Sequence, residues 1–336
     1  MATKTALITG ISGQDGSYLA EFLLLKGYEI VGTTRDAKKA STTLMPGLFG
    51  NLELVEWNLL DPDRIAEALK NHRPQELYNF AGCSSGSGMY DQPLEIAEVN
   101  GLAVTRILEA IRKTDPSVRF CQASSREIFG AESESPQSEL TPANPRSPYG
   151  AAKLYADSMI RIYRQKYGLF ACSAILFNHE SPRRGLEFVS KKVAHEAAKI
   201  KLQLASELRL GNLDARRDWG FAGDYVYGMW LMLQQTQPED YILASGETHS
   251  VRELCECAFE YLSLDYRQFV HQQETTAYRP SEPTLLVGNT SKAKQQLGWE
   301  PTVGFRELVH EMVRMELNSL SEKLSATERE NVVQKS

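Results

Sequence analysis

The chain has 336 residues, of which 42% are apolar and 24% charged, and its formal net charge is −6. That apolar content supports one large core or two smaller ones, and an acidic balance with no dominant basic stripe excludes general nucleic-acid affinity. No apolar run approaches the ~20 residues of a membrane span, and the N-terminus lacks a secretory pattern, so the reading is a soluble, cytoplasmic protein. The five cysteines (Cys83, Cys121, Cys172, Cys255, Cys257) are odd in number and scattered, which argues against a disulfide framework. The histidines lack metal-ligand spacing, so no metal is expected.

Thr5 to Thr9 is a short apolar run, and Gly10, Gly13 and Gly16 follow it at spacing three before Tyr18 to Leu24 takes up a helical period. Strand, glycine turn and helix in that order let a backbone approach a pyrophosphate and aim a helix N-terminus at its charge. Glycines also make ordinary loops; the position between a strand and a helix favours the nucleotide.

Glu29 to Thr33 predicts a second strand, ending in Thr34-Arg35-Asp36. An arginine there accommodates the 2′-phosphate of NADP, whereas an acid binds the ribose hydroxyls of NAD. Arg35 favours NADP, Asp36 keeps NAD as the alternative, and solvation of both at a strand end is the plainer reading.

Further strands are expected at Leu52 to Trp57, Glu76 to Phe80, Arg119 to Ala123 and Ala171 to Leu176, separated by helical stretches. This alternation predicts an α/β fold, a Rossmann-like doubly wound parallel sheet with a smaller, interleaved substrate-binding lobe. Ligands bind such sheets at the C-terminal ends of the strands. Asn58-Leu59 and Phe80-Ala81-Gly82 fall at that edge as walls for adenine and for the middle of the cofactor.

The same edge carries Ser124-Ser125-Arg126-Glu127, and Tyr149-Gly150-Ala151-Ala152-Lys153 follows. A Tyr and a Lys four apart on a helix share a face. The ammonium can lower the phenol pKa from its usual ~10 until the phenolate takes a proton from an alcohol, as oxidation by hydride removal requires. Ser125, Glu127, Tyr149 and Lys153 are the candidate catalytic residues.

Beyond Asn178 the alternation loosens and arginines accumulate, which predicts the second lobe over 179–318 after a cofactor domain at 1–178. Stretches at about 225–245 and 289–291 are expected to return to the first domain. The tail at 319–336, rich in Ser, Glu, Lys and Asn, is read as a frayed helix or as disordered.

Thr9-Gly10-Ile11-Ser12-Gly13-Gln14-Asp15-Gly16-Ser17-Tyr18-Leu19-Ala20 resembles the opening of the GDP-mannose 4,6-dehydratase family, extended short-chain dehydrogenases/reductases. The likeness continues through Pro145 to Ala156, Leu176-Phe177-Asn178-His179-Glu180-Ser181-Pro182-Arg183-Arg184-Gly185, Gly211 to Asp214, Arg217 to Gly220, Gly246 to Arg252 and Arg279-Pro280. It spans roughly Lys4 to Met315.

The resemblance implies NADP-dependent dehydration of a GDP-sugar through an internal redox cycle. Tyr149, with Lys153 and the Ser125 hydroxyl, would take the C4 hydroxyl proton as hydride leaves C4. Glu127 would then remove the acidified C5 hydrogen, water would leave from C6, and hydride would return there. It further implies cofactor contacts from Gly10, Gly13, Gln14, Asp15, Gly16, Arg35, Asn58, Leu59, Phe80, Ala81, Gly82, Ser84, Lys153, His179 and Arg184. Substrate contacts are implied for Ser84, Arg126, Asn178, Val189, Lys192, Arg217, Arg279 and Glu282, the arginines meeting the diphosphate as charge-assisted forks. Each arginine could instead pair with a nearby acid such as Asp218 or Glu282, and His179 could be a satisfied interior histidine. A homodimer or homotetramer is expected.

Several residues depart from the family pattern. Ser125 replaces threonine and keeps the hydroxyl. Arg126 replaces a small serine; always protonated, it can pair with Glu127 or with an anionic part of a different substrate. Ser84-Ser85-Gly86-Ser87-Gly88-Met89-Tyr90 replaces a bulkier run and leaves room for a larger sugar such as a GDP-heptose. Arg35-Asp36 replaces an arginine pair. The rival readings are a GDP-sugar reductase or epimerase, and a catalytically retired nucleotide-sugar-binding protein.

Overall fold

A computed structural model describes residues 3–38, 40, 44–48, 50–83, 90, 92–130, 134–273 and 285–333, with backbone alone from 327 onward. The apolar run at the N-terminus forms β1 (Thr5–Thr9), followed by α1 (Gln14–Leu25), β2 (Glu29–Thr34), β3 (Glu53–Glu56), α2 (Pro62–His72) and β4 (Glu76–Asn79). Next come α3 (Pro93–Ala97), a π-helical turn (Glu98–Leu102), α4 (Ala103–Thr114), β5 (Arg119–Ala123), α5 (Pro148–Tyr167) and β6 (Ala171–Leu176). The remainder comprises β7 (Asn178–Glu180), α6 (Val189–Lys201), β8 (Leu208–Leu210), β9 (Arg216–Arg217) and β10 (Trp219–Phe221). It closes with α7 (Ala222–Gln234), β11 (Tyr241–Leu243), β12 (His249–Ser250), α8 (Val251–Tyr261), β13 (Val270–Gln272) and α9 (Phe305–Val333).

Seven strands pair in the order β3-β2-β1-β4-β5-β6-β11, every neighbour parallel. This is the doubly wound order with one strand added beyond β6, and the direction of winding reverses between β1 and β4. Successive side chains leave a strand on opposite faces. Accordingly Ile8 packs with Leu19, Tyr78, Met229 and Trp299 on one side, and Leu7 with Val31, Leu77, Ile107 and Ile160 on the other. A further core of Val193, Leu208, Leu254, Cys257, Phe259, Leu308 and Met312 joins α6, α8 and α9 away from the sheet.

The strands observed are shorter than the apolar runs in two places. The run 52–57 pairs only at Glu53–Glu56, on the sheet edge. The run 76–80 stops at Asn79, whose side chain bonds laterally to Thr9 and Gln122, after which the chain leaves the sheet. The sequence 225–245 supplies most of α7 and all of β11, the latter paired with β6. Past residue 319 the backbone stays helical as far as Val333, so α9 runs through the tail expected to fray or disorder.

Among the described residues no helix is long and apolar enough to cross a membrane, and no cluster of three or more His, Cys, Asp or Glu side chains could hold a metal ion. All five cysteines are free, and Cys255 and Cys257 lie on the buried face of α8 in the second core.

Candidate active site at the C-terminal edge of the sheet

The glycine turn is shaped by contacts that exclude a side chain. Gly10 has φ +69°, and a Cβ there would lie 3.0 Å from the Ala81 nitrogen at the end of β4. Helix α1 begins at Gly13 with no side-chain cap. Its first-turn N–H groups therefore face outward without a protein side chain to satisfy them. Asp15, in that turn, meets the Nε2 of His179 at 3.0 Å, while His179 Nδ1 lies 2.8 Å from the Phe177 carbonyl. Burial alone would raise the Asp15 carboxyl, but the imidazole, with Gln14 and Arg184, holds it down at about 2. Burial pushes His179 down and Asp15 outweighs it, so its pKa is raised. Stacked on Tyr225 at 5.0 Å, the His179 ring has both nitrogens engaged, the arrangement of a satisfied interior histidine that ties β7 to the glycine turn. Gln14 adds a bond to the His179 carbonyl at 3.1 Å.

Helix α5 starts at a Ser147 cap, its hydroxyl accepting from the Gly150 N–H at 3.0 Å, with Pro148 at the first helical position. A Cβ on Gly150 would come 2.5 Å from the Glu127 carbonyl oxygen, so only glycine lets the helix approach the turn carrying Glu127. Tyr149 and Lys153 are buried, as expected for one helix face. The Lys153 ammonium donates to the Ala123 carbonyl at 2.6 Å and sits 5.6 Å from the centre of the Tyr149 ring. The phenol is pushed up to about 12 by burial, with Glu127 and Asp15 adding to the rise and the Ser125 hydrogen bond and Arg184 opposing it. Burial pulls Lys153 down to about 8, against Asp157 and Asp15. The four-residue spacing gives one buried face as expected, while burial acts on the phenol most strongly and the ammonium is turned to a backbone oxygen.

Ser125 caps a 3₁₀ turn, Arg126–Ile128, its hydroxyl accepting from the Glu127 N–H at 3.2 Å. Arg126 is buried, and its Nη2 lies 2.9 Å from Glu127 Oε1, with the Glu127 side chain 24% exposed. The pairing anticipated from the adjacent charges is therefore made.

The remaining candidates separate. Arg35 is exposed at the end of β2, near enough to Cys83 to bear on its thiol. Asn58 is exposed and accepts from the Leu60 N–H at 3.0 Å, while Leu59 packs on the core beneath α2 and α4. Phe80, Ala81 and Gly82 follow β4 at the crevice. Arg184 meets Glu180 Oε2 at 3.1 Å and covers the Phe188 ring at 3.4 Å. Asn178 Oδ1 is buried without a partner. Val189 opens α6 and packs on the second core, and Lys192 donates to the Arg209 carbonyl at 3.0 Å. Arg217 lies in β9 and bonds the Arg216 carbonyl at 2.6 Å. Asp218 is fully occupied elsewhere, taking the Ser245 N–H and hydroxyl at 2.7 Å each and the Gly246 and Gly288 N–H groups at 3.1 and 3.2 Å. Ser84, Arg279 and Glu282, with the 84–89 loop, lie outside the described residues.

Two buried residues near the site escaped the sequence reading. Asn100, in the π-helical turn, accepts from the Cys83 N–H at 2.8 Å and donates to its carbonyl at 2.9 Å, clamping the chain that leaves β4. Such turns often mark functional sites, but nothing in Glu98-Val99-Asn100-Gly101 announces one. Asp157 lies one turn beyond Lys153, and the repeated four-residue spacing from Tyr149 was a usable signal.

The GDP-mannose 4,6 dehydratase family model matches residues 7–312. A GDP-mannose 4,6 dehydratase of Cricetulus griseus is 44% identical, the alignment covering 94% of this chain and 91% of the relative. Among solved structures, dTDP-glucose 4,6-dehydratase of Bacillus anthracis in complex with NAD superposes with a TM-score of 0.82 at 20% identity, covering 93% of this chain and 96% of that one. UDP-glucose 4-epimerase of Thermus thermophilus in complex with NAD gives 0.78 at 26% identity, covering 93% and 98%. The glycine turn, the doubly wound sheet and a match along nearly the whole length agree: the chain belongs to the GDP-mannose 4,6-dehydratase family of nucleotide-sugar hydro-lyases.

Proposed function

We propose that this protein dehydrates a GDP-sugar, GDP-mannose or a close relative, to the GDP-4-keto-6-deoxy sugar, using NADP. The observation that carries the reading is the convergence at the end of β5. Ser125 and Glu127 both lie close enough to bear on the Tyr149 phenol, and Lys153 is one turn along the same helix.

The residues present fit a nicotinamide dinucleotide. Uncapped N–H groups at the start of α1 suit a pyrophosphate. Gly10, Gly13, Gln14, Asp15 and Gly16 would hold the phosphates, Arg35 the 2′-phosphate, Asn58 and Leu59 the adenine. Phe80, Ala81, Gly82, Lys153 and Arg184 would line the rest. A bound nicotinamide supplies hydride uptake from C4 and hydride return to C6, with no net change in the cofactor.

The protein's own part is proton handling. Tyr149, acting as the phenolate, takes the C4 hydroxyl proton beside the Ser125 hydroxyl, and the resulting 4-keto group acidifies C5. The Glu127 carboxylate removes the C5 proton and passes it to the C6 hydroxyl, which departs as water, and C5 takes back the solvent-exchangeable proton held by Tyr149 as C6 is reduced. Asn178, at the end of the cofactor domain, and Val189, Lys192 and Arg217, on a lobe at 179–318, are assigned to the nucleotide-sugar, the lobe closing over that domain at 1–178 with 225–245 and 289–291. The separate core of that lobe supports this division. The proposal includes a homodimer or homotetramer in the cytoplasm.

Incubation with GDP-mannose and catalytic NADP in deuterated water should give loss of one water by mass spectrometry, deuterium at C5 and no accumulated NADPH. If GDP-mannose and a panel of GDP-sugars, GDP-heptose included, all return unchanged, the proposal fails. One observation favours a rival: with Glu127 held by Arg126 at 2.9 Å, a GDP-sugar reductase or epimerase that never removes the C5 proton is the second reading. Redox exchange at C4 without water loss or C5 deuterium would select it.

A further inference from the structure

Three consecutive residues at the end of β5 grip three residues of α5. The Ala123 carbonyl accepts from Lys153 Nζ at 2.6 Å, the Ser124 hydroxyl donates to Asp157 Oδ2 at 2.7 Å, and the Ser125 hydroxyl lies near enough to bear on the Tyr149 phenol. Tyr149, Lys153 and Asp157 are spaced four apart, so they form one buried stripe on the helix. Asp157 is its innermost member, 2% exposed, and Ser173 on β6 donates a second hydroxyl to its Oδ1.

A carboxylate in such a place is costly unless it is paired or neutralised. Two hydroxyl donors satisfy its hydrogen bonding, but an asparagine or a water would satisfy two serines as well. What the hydroxyls do not explain is the charge. The cation placed to complement it is Lys153, itself 5% exposed and hydrogen-bonded only to a neutral carbonyl. We propose that Asp157 is a positioning residue, the buried counter-charge that keeps Lys153 protonated and seats the Tyr149 stripe of α5 against β5.

Every charge around the pair bears on the same balance. Asp157 is pushed up to about 6 by burial, with Ser173, Ser124 and Lys153 opposing and Asp240 adding to the rise. Asp240 is itself engaged by Arg164 and by the Ser173 N–H at 2.8 Å. Lys153 is supported by Asp157 first, then Asp15 and Cys83. Loss of the Asp157 charge therefore removes the largest support and moves the lysine further down. The inference rests on Tyr149 and Lys153 being the working pair, but its test reads the lysine directly.

The test is NMR titration of isotope-labelled lysine side chains in the full-length protein without substrate, with Lys153 assigned by its loss in Lys153→Met. Asp157→Asn should lower the Lys153 midpoint by about one pH unit, the size expected for removing a neighbouring opposite charge. An unmoved midpoint overturns the proposal, because asparagine keeps an acceptor for the Ser124 hydroxyl and a merely structural anchor would leave the lysine alone. A second measurement leaves Asp157 in place: coupling is reciprocal, so Lys153→Met should raise the Asp157 midpoint by a similar amount, read on labelled aspartate. No rise there overturns it equally. Neither reading depends on dehydration, so a protein that fails to convert GDP-sugars can still pass or fail this test.

Discussion

The two halves of the proposed chemistry are held in different ways. The Tyr149, Lys153 and Asp157 stripe of α5 is buried and fastened residue by residue to β5. Glu127 stands on a short 3₁₀ turn, partly exposed, and one of its oxygens is tied to the neighbouring Arg126. Alcohol oxidation is thus built into the packing of a helix on the sheet, whereas the elimination step depends on one ion pair that a single substitution can alter.

Tyr149→Phe should have the largest effect, because it removes the group that handles the C4 proton and stops both halves. A fall in kcat of about 10³-fold or more is expected. Single-turnover absorbance should show no NADPH formed from GDP-mannose. Appreciable NADPH in this variant would mean that another group takes the proton.

Glu127→Gln should separate the halves. Turnover should fall by about 10²-fold or more, yet C4 oxidation, seen as transient NADPH, should persist without deuterium entering C5. If the variant turns over like the parent, Glu127 is not the base and the elimination half of the mechanism is wrong.

The oxidation half was the more legible in sequence, for a physical reason. Strand periodicity, the glycine turn and the Tyr-to-Lys spacing are local patterns, and β1, β5 and β6 fall at the residues their apolar runs mark. Electrostatics is less legible than spacing. Spacing puts Lys153 beside Tyr149 but says nothing of the Ala123 carbonyl that captures the ammonium, or of the burial that raises the phenol to about 12. Likewise the clamp of Asn100 on Cys83 and the two serines on Asp157 join residues far apart in sequence, and no local pattern encodes them. Arg126 beside Glu127 was visible because the partners are adjacent.

Arg126→Ser tests whether that adjacency restrains the reaction. Glu127 is partly solvated, so losing its partner leaves no buried orphan charge. Freed of it, the carboxylate should work about two- to fivefold faster in kcat. A loss of turnover with a raised KM would instead assign the guanidinium to an anionic group of the substrate.

The smallest effect is on stability, and its sign opposes the catalytic one. Asp157 has its folded pKa raised to about 6 from an unfolded value of 3.8. A group shifted up binds its proton more tightly in the native state, so it stabilises fully below pH ~4 and loses that contribution as pH rises through 6. Asparagine does not titrate. The stability of Asp157→Asn relative to the parent should therefore improve between pH ~4 and ~7 by about 2 kcal/mol, or a few degrees in Tm by differential scanning fluorimetry. Below pH ~6 Lys153 stays charged in both parent and variant, so the change up to there reports the carboxylate alone. A relative stability flat with pH would mean that Asp157 has the same pKa folded and unfolded, whereas a relative gain that keeps climbing past pH ~7 would mean that Asp157 stays neutral there, and a neutral Asp157 cannot be the charge that holds Lys153 protonated.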